Sequence, residues 1–161
     1  MILAITGTPG CGKTTQAKKI ATILGIPYIN LTDYCVEHKL TDGFDSKRDC
    51  HVLSISKIEK HLQKHLDFPA IIDSHLSHDF SPEWIDACIV CQCELATLKK
   101  RLKKRAYSPE KIRENLDAHI FDTCHVEALE NGHRVCTLDC TNPLTKDKLH
   151  QFLKENQLIS H

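Results

Sequence analysis

Short apolar runs alternate with amphipathic stretches along the whole chain. Residues 1–6 read as a strand, and Lys13–Leu24 as a helix with Ala17, Ile20, Ala21 and Leu24 on one face. Gly25 is a natural left-handed stop for that helix, and Pro27 opens the extended Tyr28-Ile29-Asn30. Thr32 or Asp33 is placed to cap a short helix to about residue 39, which Asp42-Gly43 should break. Residues 53–66 carry Ile55, Ile58, Leu62 and Leu66 at helical spacing behind a Ser54 or Ser56 cap, and Ala70-Ile71-Ile72-Asp73 is a buried strand ending in a carboxylate. Residues 85–91 are the next strand, 94–105 and 109–129 two helices, 134–138 the last strand and 146–158 a terminal helix. Strands alternating with helices of this length predict an α/β fold whose parallel sheet is covered on both faces. No repeat, low-complexity segment or linker interrupts the pattern, so residues 1–161 are expected to form a single domain.

Composition narrows the function. The 161 residues hold 21 basic and 21 acidic side chains, which gives no overall basic footprint for nucleic acid. No apolar run approaches the roughly 20 residues of a membrane span. The chain starts on a strand pattern rather than a basic leader, so no targeting segment is expected. Nine cysteines, an odd count, argue against a disulfide framework and for a reducing compartment: the cytoplasm, or nucleus and cytoplasm in a eukaryote. Cys88, Cys91 and Cys93 resemble a metal cluster, but 87–91 is a buried-strand run that points Cys88 and Cys91 to opposite faces. They are read as small core hydrophobes.

Gly7-Thr8-Pro9-Gly10-Cys11-Gly12-Lys13-Thr14 fits G-x-x-x-x-G-K-[ST] in full, between a strand and a helix as a phosphate-binding loop requires. Its glycines let backbone N–H groups close around phosphates at a helix N-terminus. Gly10, Gly12 and Thr15 are candidate phosphate contacts, Lys13 should reach the β- and γ-phosphates, and the Thr14 hydroxyl should ligand Mg²⁺. No guanine-recognition segment follows the fourth strand, so ATP is the expected nucleotide. Asp73, at the carboxyl end of its strand, is the second Mg²⁺ candidate, against a plain helix-capping role. His75 could orient a water or accept a substrate proton, and reads equally well as a structural group; for His78 the structural reading is the stronger.

Six of the seven residues 99–105 are cationic, and Ala106-Tyr107-Ser108-Pro109 then breaks the helix before Ser108 caps a new one. A cationic helix end followed by a helical hairpin suits a lid over ATP. Arg105, and less firmly Arg101, are candidates to stabilise the transferring phosphoryl group. The same run is the best candidate for a weak rRNA contact.

Together, the loop Ile5–Thr15, the segment Asp73-Ser74-His75-Leu76-Ser77-His78, the lid Arg105-Ala106-Tyr107-Ser108 with Glu114-Asn115-Leu116-Asp117-Ala118, and Glu127-Ala128-Leu129-Glu130 resemble the adenylate kinase isoenzyme 6 family, also called the coilin-interacting nuclear ATPases, in its archaeal form. The resemblance spans essentially the whole chain. It implies a P-loop nucleoside-monophosphate-kinase fold on a five-stranded parallel sheet, with an AMP-binding module at about 30–53 and a lid at about 104–114. It also implies ATP:AMP phosphotransfer with ATP hydrolysis, and a part in small-ribosomal-subunit maturation through a platform ribosomal protein. Four features depart from the family pattern. Val36 stands where some members carry Arg or Lys, Leu53-Ser54-Ile55-Ser56 replaces an acidic stretch, Ala106 replaces Gly and His119 replaces Glu. Lys39, Lys47 or Arg48 are the cations left to hold an AMP phosphate. Two further readings are an ATP-gated binding protein with slow turnover and a kinase of another small metabolite; the segment 73–75 and the lid speak against the second.

Overall fold

Each buried strand sends alternate residues to opposite faces, which is why the strand sequences are apolar throughout. The computed structural model describes residues 1–47 and 50–160. Five parallel strands, β1 (Ile2–Thr6), β2 (Tyr28–Asn30), β5 (Ala70–Asp73), β6 (Ala87–Gln92) and β7 (Val135–Asp139), form one sheet in the order β2-β5-β1-β6-β7. Leu3, Ile5, Ile71, Ile89 and Cys91 face a layer made by α1 (Lys13–Leu24), α4 (Leu95–Lys104) and α7 (Lys146–Glu155). Ala4, Ala70, Ile72, Cys88 and Val90 face α2 (Leu31–Glu37), α3 (Ile55–His65) and α6 (Thr123–Glu130). All nine cysteines are free thiols, and six of them, Cys11, Cys88, Cys91, Cys93, Cys136 and Cys140, lie buried in the layers around β1, β6 and β7.

Three local expectations are corrected. Asn30, not Thr32 or Asp33, caps α2, its side chain accepting the Asp33 N–H at 3.1 Å. Asp42-Gly43 does not end a segment but lies inside β3 (Thr41–Asp45), which pairs antiparallel with β4 (Cys50–Leu53). The register shifts between Thr41 and Gly43, and Gly43 takes a φ of 144° there. The stretch 109–129 is two helices, α5 (Pro109–Ile120) and α6, because Asp122 adopts a left-handed φ of 52°. Gln92 Nε2 of β6 donates to Asp122 Oδ1 at 2.5 Å and His125 Nδ1 lies 2.7 Å from Oδ2, so one distant and one local contact hold the kink.

Parallel pairing brings Asp73 beside Ile5 and Ile89 beside the same residue of β1. The carboxyl ends of β1, β5 and β6 therefore open on one edge of the sheet, where α/β proteins bind their ligands.

Candidate active site

The loop from Gly7 to Gly12 leaves β1 at that edge and delivers the chain into α1. A Cβ on Gly7, whose φ is 138°, would lie 2.5 Å from Cys91 O and 2.8 Å from Cys11 Sγ, so no side chain fits. Gly12, φ 113°, is the N-cap of α1; it offers no side-chain cap, and the first turn holds no acidic residue. Its free N–H groups and the helix dipole are left to an anion. Lys13 Nζ rests 3.3 Å from Thr8 O, across the mouth of the loop.

Beneath the loop, Asp73 is 2% exposed. Its Oδ2 accepts from Thr14 Oγ1 at 2.6 Å and from Tyr28 Oη at 2.9 Å. Loss of hydration, reinforced by the Asp73 charge, pushes the Tyr28 hydroxyl up to about 12, so it remains a donor at any ordinary pH. Thr14 and Asp73 are an all-oxygen pair with one carboxylate, which fits a hard divalent cation that keeps several waters. Tyr28 carries no motif that reveals it in the sequence; only the pairing of Asn30 with Asp73 brings β2 close enough.

A cleft of about 880 Å³ opens above, lined by the loop, Lys13, Thr14, Thr15, Lys47, His75, His78, Arg105, Tyr107, Asn115 and Glu127. His75 is exposed to it, and its ring is held below the ordinary 6.5 by lost hydration first and by the Lys13 and His78 charges next. Asp73 stands behind Thr14 rather than on the cleft wall. Gly10, Gly12, Thr15 and Arg105 also line an adjoining cavity of about 430 Å³, with Gln16, Asn142 and Pro143.

Arg101 and Arg105 part company. The Arg101 guanidinium is spent on backbone carbonyls, Cys11 O at 3.1 Å, Cys140 O at 2.9 Å and Thr141 O at 3.2 Å, and lines only the smaller cavity. It fastens the phosphate loop to the β7 end rather than facing the main cleft as the lid reading expected. Arg105 is exposed and faces both cavities. His119, which replaces the family's Glu, places Nε2 2.6 Å from Cys93 O and Nδ1 3.4 Å from Thr8 Oγ1. Of the three AMP-phosphate cations considered, Lys47 lines the main cleft, Lys39 does not, and Arg48 lies outside the described residues.

Ala106 has a φ of 54°, which explains why a glycine suits this point between α4 and α5. Ala106→Gly should stabilise the protein by about 0.5 kcal/mol, the left-handed strain relieved being partly offset by added freedom in the unfolded chain. Equilibrium urea unfolding checks this, and a destabilised variant would show that the backbone carries no strain here.

The AAA domain family model matches residues 3–122. A Methanocaldococcus jannaschii protein named as an adenylate kinase is 38% identical over 144 residues, covering 88% of this chain and 78% of its own. A Caenorhabditis elegans homolog of adenylate kinase isoenzyme 6 is 35% identical over 132 residues, or 80% and 72% of the two chains. Among solved structures, the shikimate kinase of Bacteroides thetaiotaomicron superposes with a TM-score of 0.62 at 14% identity, covering 98% and 96%, which is a likeness of fold alone. No helix among the described residues is long and apolar enough to cross a membrane. The phosphate loop on a five-stranded parallel sheet and these relatives together settle the family: the chain belongs to the adenylate kinase isoenzyme 6 family of P-loop kinases.

Proposed function

We propose that the protein transfers the γ-phosphoryl group of ATP to AMP and also hydrolyses ATP. The observation that carries this is the Thr14–Asp73 hydrogen bond of 2.6 Å at the foot of an intact phosphate loop. Thr14 and, directly or through water, Asp73 would hold the Mg²⁺ of a bound nucleotide. A Mg²⁺ ion held by these residues would supply charge neutralisation to the triphosphate. The loop amides hold the phosphates, Lys13 supplies charge at the β–γ bridge, and Arg105 supplies it from the lid at about 104–114. An AMP phosphate oxygen then attacks the γ-phosphorus in line, and ADP leaves as the bond to the bridging oxygen breaks. In this reading residues 1–161 act as a single domain with the AMP module at about 30–53, and the acceptor binds on the Lys47 side of the cleft. Thr15 and Arg105 complete the ATP contacts.

In hydrolysis a water takes the place of AMP, and His75 orients it. The lowered pKa leaves the ring neutral above pH 6.5, the form that can accept a proton from water. Protonation becomes significant only below that value. The acid limb of hydrolysis should therefore fall below pH 6.5 and vanish in His75→Ala, which should lose more hydrolysis than phosphotransfer. Equal losses in both reactions would reduce His75 to a support for the fold.

A part in small-ribosomal-subunit maturation, in the cytoplasm or nucleus, with a platform ribosomal protein as partner, belongs to this reading through the family. Exposed Lys99, Lys100, Lys103 and Lys104 on α4 are the surface that would meet rRNA. The second reading, an ATP-gated binding protein with little AMP kinase activity, is favoured by Val36. It is 48% exposed, lines neither cavity and offers no charge to a monophosphate. Mixing the protein with the isolated ribosomal protein, with ATP or ADP present, tests the partner. No complex at micromolar concentration would remove it.

A further inference from the structure

Groups from distant parts of the chain meet at His78. The residue sits in a short 3₁₀ turn after β5 and is 3% exposed. Its Nδ1 lies 2.7 Å from the hydroxyl of Thr6, the last residue of β1, and its Nε2 lies 2.8 Å from Glu127 Oε2 on α6. Asp79 Oδ1 is 3.7 Å from Nε2. The His78 carbonyl accepts from Asn131 Nδ2 and from His133 Nε2, each at 2.9 Å. A carboxylate can only accept, so Nε2 bears the proton shared with Glu127. Nδ1 is then free to accept from the Thr6 hydroxyl, which is fully buried and also lies 3.4 Å from His75 O.

A buried imidazole held at both nitrogens is costly to maintain where an apolar side chain would fill the space. Its partners explain the choice. Thr6 is the root of the phosphate loop, Glu127 is part of the cleft wall, and His75 lies between Asp73 and His78 along the chain. The His75 ring has no hydrogen-bond partner among the described residues, so its direction depends on where its backbone is held. The β5 pairing fixes that backbone at Asp73, and His78 fixes it at the other end.

We infer that Thr6, His78 and Glu127 form a positioning relay that clamps the His75-bearing loop between the phosphate loop and α6, supporting turnover rather than ATP affinity. The inference rests on the ATP reading of the cleft. It assigns His78 and Glu127 no contact with the reacting atoms.

The test measures ATP hydrolysis and, separately, equilibrium binding of a fluorescent non-hydrolysable ATP analogue for His78→Asn, Glu127→Ala, Glu127→Gln and the His78→Asn/Glu127→Ala double variant. Asparagine can keep the Thr6 contact but cannot reach Glu127. Each of His78→Asn and Glu127→Ala should lower turnover about tenfold, and the double variant should fall no further, because both break one chain. Analogue affinity should stay within about twofold, and Glu127→Gln, which keeps an acceptor, should lose less than Glu127→Ala. Unchanged turnover, multiplied losses in the double variant, or affinity falling in step with turnover would overturn the relay. Glu127 is 47% exposed, so its variants keep the test open even if His78→Asn does not fold. Failure of the unsubstituted protein to bind the analogue would overturn the ATP reading and the relay together; binding with unaffected variants overturns the relay alone.

Discussion

Lys13→Ala is expected to lower ADP formation from Mg·ATP on the order of 10³-fold, whether or not AMP is present. Lys13 opens α1 above a loop whose N–H groups have no side-chain cap and no acidic neighbour in the first turn. Its ammonium brings positive charge to the mouth of the loop, where the β–γ bridge must develop negative charge. The substitution removes a 3.3 Å hydrogen bond to Thr8 O, and alanine is a good helix former. The thermal unfolding midpoint should consequently stay where it is while activity disappears. Retained turnover would show that the loop is not the site of reaction.

Asp73→Asn should cost about 100-fold in turnover and raise the Mg²⁺ concentration needed for half-maximal rate. The substitution preserves shape, and the amide oxygen can occupy the Oδ2 position where Thr14 and Tyr28 donate at 2.6 and 2.9 Å. What changes is the charge that makes the Thr14–Asp73 pair attractive to a divalent cation. Titrating Mg²⁺ at fixed ATP separates the two contributions. A lower maximal rate with an unchanged Mg²⁺ midpoint would place Asp73 outside the cation's reach and make it a brace for α1 and β2.

The parts of this site that were legible in the sequence are those whose physics is local. A phosphate loop needs glycines, a Lys and a hydroxyl within eight residues, and Asp73 announces itself as a carboxylate closing an apolar run. The Ser108 cap, which accepts the Lys111 N–H at 3.2 Å, is equally local. Tyr28, Glu127 and the fastening role of Arg101 were not legible, because their partners lie 45, 49 and up to 90 positions away. The kink at Asp122 was hidden for the same reason. No Gly or Pro marks it, and the amphipathic pattern runs on through Phe121 while Gln92 holds the turn from β6. Asp42-Gly43 misled in the opposite direction. Turn residues that usually break a segment are here accommodated by a register shift within a small exposed hairpin.

One phosphate-loop site is expected to pass the γ-phosphoryl group to AMP and, without AMP, to water. Incubating the purified protein with Mg·ATP, with and without AMP, while quantifying ATP, ADP and inorganic phosphate tests it most directly. With AMP, ATP should be lost faster, with about two ADP formed per ATP consumed and little phosphate; without AMP, loss should be slower, with ADP and phosphate released together. ADP formation indifferent to AMP, with phosphate appearing in step with it, would contradict the kinase claim and leave an ATPase.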